Sequence, residues 1–166
     1  MLETNRLLIR PFVVDDAPFI LDLLNTPSWL AFIGDRGVRT LVDAQEYILN
    51  GPLKSYEQYG YGSYLVRIKD TSLSIGMCGL FKRESLEHPD IGFAFLPDYA
   101  GNGYGYESAA AVMAYARDEL GLSVILGITK PTNGASIRLL QKLGLHLAEP
   151  PYISLNGEEN LLFRTL

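Results

Sequence analysis

The sequence predicts a mixed α/β domain in which an antiparallel meander leads into a β–α–β–α unit. Two observations carry this. Residues 60–70 (GYGSYLVRIKD) and 72–83 (SLSIGMCGLFKR) are apolar, β-branched or aromatic runs joined by the polar turn KDTS, and a third run, HPDIGFAFLP, follows at 88–97. Such runs parted by turn residues read as hairpin-connected strands. Beyond them the period changes, because Val112, Ala116 and Leu120 lie four apart and line one helical face.

Each element can be justified in order. RLLIRPFV, at 6–13, reads as a first strand. DDAPFILDLLN follows with helical spacing, since Phe19 and Leu23, and Ile20 and Leu24, lie four apart, and Asp15 or Asp16 can cap it. PSWLAFIGDRG reads as a loop with large apolar side chains. RTLVDAQEYILNG is a helix with Thr40 as N-cap and Asp43 three residues on, and Gly51-Pro52 reads as its stop. After the meander come a helix over 104–120 ended by Gly121, the buried strand LSVILGITK, and a helix capped by Asn133 and stopped by Gly144. In the tail YISLNGEENLLFRTL, Asn156-Gly157 is a strong hairpin signal. No repeat or linker breaks the chain, so residues 1–166 read as one domain.

Composition limits the function. With 48% hydrophobic and 20% charged residues, the chain is ordinary for a globular protein. Its net charge of −5 argues against nucleic acid as a partner and suits a small or peptidic cationic substrate better. The single cysteine, Cys78, forms no intramolecular disulfide, has no metal or redox spacing around it, and reads as a small buried residue. No metal cofactor is expected. No apolar run is long enough to span a membrane, and MLETNRLLIRPF lacks a signal peptide's apolar core, so a cytoplasmic protein without a membrane partner is expected.

The stretch FLPDYAGNGYGYESA places Gly101, Gly103 and Gly105 at alternate positions just before a helix. The plain alternative is a tight turn. Three glycines exceed what one turn needs, and they let a ligand approach the backbone at a helix N-terminus, whose open amides and dipole hold phosphate. A dinucleotide fingerprint does not fit, because Tyr106 or Ser108 stands where its third glycine belongs, and no Gly-Lys-Ser/Thr supplies a Walker loop.

GFAFLPDYAGNGYGYESA, the later PTNGASIRLLQKLGL and the opening ETNRLLIRPF together resemble the GCN5-related N-acetyltransferases, in the branch that includes ribosomal-protein alanine acetyltransferases. The resemblance covers nearly the whole chain. It implies a central, mostly antiparallel sheet with a splayed parallel pair, flanked by about four helices. It implies acetyl-CoA as cosubstrate, with Gly101, Asn102, Gly103, Tyr104 and Gly105 around its pyrophosphate. Phe95 and Leu96 would face the pantetheine arm, and Asn133 and Ser136 would also touch the cofactor. Ala100 stands where the wider family has Gln or Arg, and Leu140 stands where much of it has an acidic tyrosine.

The reaction so implied is attack of a primary amine, on a small molecule or a protein N-terminus, at a thioester in a ternary complex. It needs a base and a hydrogen-bond donor. Asp90 is the candidate base, with Glu87 and His88 nearby, and Ser136 is the candidate donor to the sulfur. Trp29, Phe32, Tyr56, Tyr59, Tyr61 and Tyr64 offer aromatic surface for the acceptor, at least half of it core, and Asp35 and Arg36 are polar candidates. Another acyl-CoA donor, or a binding module that lacks catalysis, are the alternatives. The C-terminal hairpin could pair within a chain or between two copies, so a homodimer stays open.

Overall fold

Eight strands join one sheet in the order β1-β2-β3-β4-β5-β6-β8-β7. The computed structural model describes residues 1–166. The first five strands, β1 (Leu2–Glu3), β2 (Leu7–Pro11), β3 (Ser63–Ile68), β4 (Ser74–Phe81) and β5 (Asp90–Phe95), pair antiparallel with their neighbours. β6 (Leu126–Thr129) runs parallel to β5, and the hairpin of β7 (His146–Ile153) and β8 (Glu159–Arg164) completes the sheet. The helices α1 (Ala17–Leu24), α2 (Pro27–Phe32), α3 (Leu41–Ile48) and α4 (Lys54–Tyr59) precede the meander. α5 (Tyr104–Asp118) joins β5 to β6, and α6 (Gly134–Lys142) follows β6.

Side-chain alternation along the strands sets the layers. Tyr64 and Val66 of β3 join a core with Ala109, Val112 and Ala116 of α5 and Leu140 of α6. Leu65, between them, joins a second core with Ile20, Leu23 and Leu24 of α1 and Ala44 and Ile48 of α3. The sheet is therefore covered on both faces, and α1 and α3 pack opposite to α5 and α6.

Two short helices join the expected four. The segment read as a loop after Asn25 begins α2, with Pro27 in its first turn and the Thr26 hydroxyl accepting from the Trp29 amide. Proline suits that position because its missing N–H would have had no helical partner. Gly51-Pro52 does not stop α3. The chain widens into a π turn over Leu49–Leu53 and continues as α4. A wider turn accommodates a proline that lacks an N–H and crowds the preceding turn.

The caps divide in the same way. Thr40 and Asp43 form the expected reciprocal box, with Thr40 Oγ1 accepting from the Asp43 amide at 3.1 Å and Asp43 Oδ2 from the Thr40 amide at 3.0 Å. Asp16 leaves α1 uncapped. Its carboxylate accepts from the Val13 amide at 2.9 Å and pairs with Arg10 at 2.8 Å. The strand read from LSVILGITK is shorter than that run and covers Leu126–Thr129. Asn156-Gly157 turns β7 into β8, in a loop closed by the Ser154 amide on the Glu158 carbonyl at 2.9 Å.

The β3–β4 contact is tight at Gly79, where a Cβ would lie 2.3 Å from the Gly62 carbonyl oxygen and 2.4 Å from Ser63 Cα. Both neighbours are backbone and cannot swing aside. Gly79→Ala is expected to lower unfolding free energy by about 1–3 kcal/mol, read from the urea midpoint. An unchanged midpoint would contradict this packing.

Candidate functional site

A cleft opens where β5 and β6 part. β4 and β5 share six residue pairs, whereas β5 and β6 share one, Asp90 with Leu126. The Leu126 amide donates to the Pro89 carbonyl at 2.9 Å, and the strands then separate. On the other edge of β5, the Leu96 amide donates to the Ile75 carbonyl at 2.8 Å. Strand alternation therefore turns the backbone N–H and C=O of Phe93 and Phe95 into the gap. The cavity there has a volume of about 830 Å³.

One end of the cleft is the glycine loop. Gly101 and Gly103 have φ of +77° and +83°, the left-handed region that other residues enter at a cost. Gly103 is the N-cap of α5, and no side chain caps the helix. The first helical bond runs from the Glu107 amide to the Gly103 carbonyl at 3.1 Å, so the amides of Tyr104, Gly105 and Tyr106 lack helical acceptors. A Cβ at Gly101 would meet nothing within 4 Å. Gly105 also serves packing, since its Cβ would lie 3.2 Å from Leu139 Cδ2 on α6. Open amides, the positive end of the α5 dipole and free space together fit a phosphate group.

The N-terminus braces this loop. The Arg6 guanidinium donates to Glu107 Oε2 at 2.7 Å and to the Asn102 carbonyl at 3.1 Å, and lies 4.4 Å from the centre of the Tyr104 ring. Glu107 also accepts from Thr4 Oγ1 at 2.6 Å and from the Arg6 amide at 2.8 Å. Burial acts to raise the Glu107 carboxyl, but the hydrogen bonds from Thr4 and Arg6 outweigh it and hold the group below its ordinary range. Sequence reasoning used ETNRLLIRPF as a first strand and as part of a resemblance, and missed Arg6 and Glu107 as partners. Their separation of 101 positions hides the pairing, and the joint presence of the opening and the loop was the only signal.

Asn133 and Ser136 form one wall. Asn133 Oδ1 accepts from the Ser136 amide at 3.2 Å, so the asparagine is the N-cap of α6. Both residues line the cavity, as do Phe95, Gly101 and Gly105. Asn102, Gly103 and Tyr104 sit on the loop but outside the cavity wall. Leu96 is turned away: its amide is held by Ile75, its carbonyl accepts from the Tyr99 amide at 3.0 Å, and its side chain packs against the α1–α3 core. Leu140 is 1% exposed and belongs to the core.

The opposite end holds Asp90, the only carboxylate lining the cavity. Its side chain is 3% exposed, and Arg83 pairs with both oxygens, Nε to Oδ1 at 2.8 Å and Nη2 to Oδ2 at 3.2 Å. Burial lifts the Asp90 carboxyl above its ordinary value, and Arg83 offsets this only in part. Arg83 is a second residue that the sequence reading missed. It became findable only with the β4–β5 register, in which Phe81 pairs with Asp90. Glu87 and His88 lie outside the cavity wall. Of the aromatic candidates, Trp29, Phe32 and Tyr59 line the cavity. Tyr61 and Tyr64 are core residues, and Tyr56, packed against that core, accepts from the Phe12 amide at 3.0 Å. Arg36 lines the cavity, whereas Asp35 pairs with Arg39 at 2.5 Å. Cys78 is buried, with its thiol pushed up to about 12 by burial, which leaves it inert.

Known proteins share this fold. The acetyltransferase (GNAT) domain family matches residues 6–146. An uncharacterized N-acetyltransferase of Bacillus subtilis (strain 168), YnaD, is 28% identical over 144 residues, which cover 87% of this chain and 81% of YnaD. A crystal structure of an acetyltransferase from Agrobacterium tumefaciens str. C58 superposes with a TM-score of 0.83 at 23% identity, covering 99% of this chain and 93% of that one. RimL, a ribosomal L7/L12 alpha-N-protein acetyltransferase in complex with coenzyme A, superposes with a TM-score of 0.83 at 17% identity, covering 98% and 95%.

The Arg83–Asp90 pair has a measurable consequence. A carboxyl whose folded pKa exceeds its unfolded one binds its proton more tightly when folded, so its contribution to stability falls as pH rises from the ordinary carboxylate range through the folded value. Removing Arg83 enlarges that shift. Arg83→Ala is expected to cost about 2–3 kcal/mol near neutral pH, less than the roughly 3–5 kcal/mol of a wholly buried pair, because the Arg83 side chain is 39% exposed. The deficit should shrink toward pH 4 in urea titrations. A deficit independent of pH would contradict the assignment.

Proposed function

This chain belongs to the acetyltransferase (GNAT) family, and on that premise we propose that it transfers the acetyl group of acetyl-CoA to a primary amine by direct attack in a ternary complex. The acceptor is a small molecule or a protein N-terminus. The observation that carries this reading is the single-pair contact of β5 with β6, which leaves a cleft running from the uncapped start of α5 to Asp90. Acetyl-CoA brings an activated thioester. The chain supplies the rest.

The amides of Tyr104, Gly105 and Tyr106 bind the pyrophosphate at the positive end of α5. Gly101 and Gly103 shape the loop for that approach, and Arg6 fixes it through the Asn102 carbonyl. The inward-facing backbone of Phe93 and Phe95 offers hydrogen bonds to the pantetheine amides. Asn133 orients α6. The Ser136 hydroxyl, which has no hydrogen bond to its own helix, donates to the sulfur as the thiolate departs.

Asp90 takes the proton of the acceptor ammonium through water. Burial supports this role, because a carboxyl lifted toward neutrality is a better base near neutral pH. Arg83 holds the carboxylate in place and leaves each oxygen a further lone pair.

Steady-state acetylation of an amine panel tests the assignment. Asp90→Asn is expected to lower kcat roughly 10²–10⁴-fold and to remove the acidic limb of the pH profile. Ser136→Ala is expected to lower kcat by about 10² with the acetyl-CoA KM little changed. Full kcat in Asp90→Asn, with circular dichroism showing a folded protein, would eliminate it as the base.

A further inference from the structure

We propose that the acceptor carries an anionic group beside its amine, recognised by Arg36 and Lys54. The proposal rests on the transferase reading and deepens it. Sequence composition pointed the other way, since the chain has a net charge of −5. The cavity reverses that sign: Arg36, Lys54, Lys82 and Arg83 line it against the one carboxylate of Asp90. A local field of this kind, not net charge, governs which ligand enters a cleft.

Two of these cations are committed to the protein. Arg83 holds Asp90, and Lys82 Nζ donates to the carbonyls of Leu86 at 2.6 Å and Glu87 at 3.0 Å. Arg36 and Lys54 take part in none of the ion pairs or side-chain hydrogen bonds. The acid preceding Arg36 in sequence is occupied, because Asp35 pairs with Arg39 at 2.5 Å and accepts from the Gly37 amide at 2.8 Å.

Both cations sit at the acceptor end. Arg36 shares a second pocket with Asp43, Glu46, Tyr47, Asn50 and Gly51, which places it beside the π turn that leads into Lys54. Asp43 already accepts from the Arg39 and Thr40 amides, and neither Asp43 nor Glu46 lines the main cavity. Next to Lys54, Ser55 Oγ donates to the Tyr61 carbonyl at 2.6 Å, tying the start of α4 to the entry of β3. β3 opens at Ser63, which pairs with Gly79, and Gly79 pairs with Gly92, two residues from Asp90. The glycine loop lies beyond the other end of β5. Phosphates bound there leave Arg36 and Lys54 free for the acceptor.

The chemistry fits two sources, a free amino acid's carboxylate or acidic side chains behind a peptide N-terminus. The test separates them with matched probes: L-alanine against L-alaninamide, and Ser-Asp-Asp-Ala amide against Ser-Asn-Asn-Ala amide, with spermidine as the cationic control. Binding to the CoA-saturated protein is measured by calorimetry, and acetylation is measured in parallel. In one pair or both, the acid is expected to bind and react at least tenfold better than its neutral partner. Arg36→Ser/Lys54→Ser should abolish that preference with acetyl-CoA affinity unchanged, and Lys54→Glu should shift it toward spermidine. Equal use of acid and amide, no binding of any acid, a wild-type preference for spermidine, or a preference that survives the substitutions would overturn the proposal. Preferential acid binding without turnover of any amine would sustain the anion site and contradict the transferase reading. Turnover without acid preference would do the reverse.

Discussion

β5 and β6 run parallel, and they hold each other through one residue pair, Asp90 with Leu126. A parallel pair normally continues its ladder, because unpaired backbone groups inside a protein are costly. Here the ladder stops and the strands part, which turns the inner edge of β5 toward a cavity of about 830 Å³. Ligand amides can then satisfy groups that a neighbouring strand would otherwise take. The cleft is thus a consequence of sheet topology, and the side chains around it refine what the backbone already offers.

Each end of the cleft is fixed by a different kind of contact. At the α5 end the decisive elements are backbone: two glycines with positive φ and a helix start without a side-chain cap. Arg6 and Glu107 brace that end from the far side of the sequence. At the β5 entrance the decisive element is the buried ion pair of Asp90 and Arg83. A buried pair of this kind is a modest source of stability, because desolvation cancels much of the attraction. Its use here is to hold a carboxylate at a fixed point in the wall.

Much of this was legible in the sequence, and the misses have physical causes. The meander, α5, α6 and the C-terminal hairpin could be read from periodicity and turn residues, because those signals are local. α2 was missed although Thr26-Pro27 is a helix-start signal, because a helix of six residues is too short to show a clear period. α4 was missed because a π turn carries Pro52 inside a helical path, which no simple stop rule foresees. At the site, the glycine loop and the Asn133 cap were readable as local backbone features. Arg6–Glu107 and Arg83–Asp90 were not, since both depend on tertiary register. Net charge and the cavity wall differ in sign for a related reason: the one sums the whole surface, whereas the other samples four cations and one acid.

The central claim is that the glycine loop and the open start of α5 hold the pyrophosphate of acetyl-CoA. Calorimetric titration of acetyl-CoA into the wild type and Gly103→Glu tests it most directly. Gly103 needs a positive φ, a Cβ there would come within 3.3 Å of Arg6, and glutamate adds negative charge where phosphate should lie. The account predicts micromolar binding by the wild type and its loss in a variant that remains folded. A wild type that does not bind, or a folded variant that binds equally well, would contradict it.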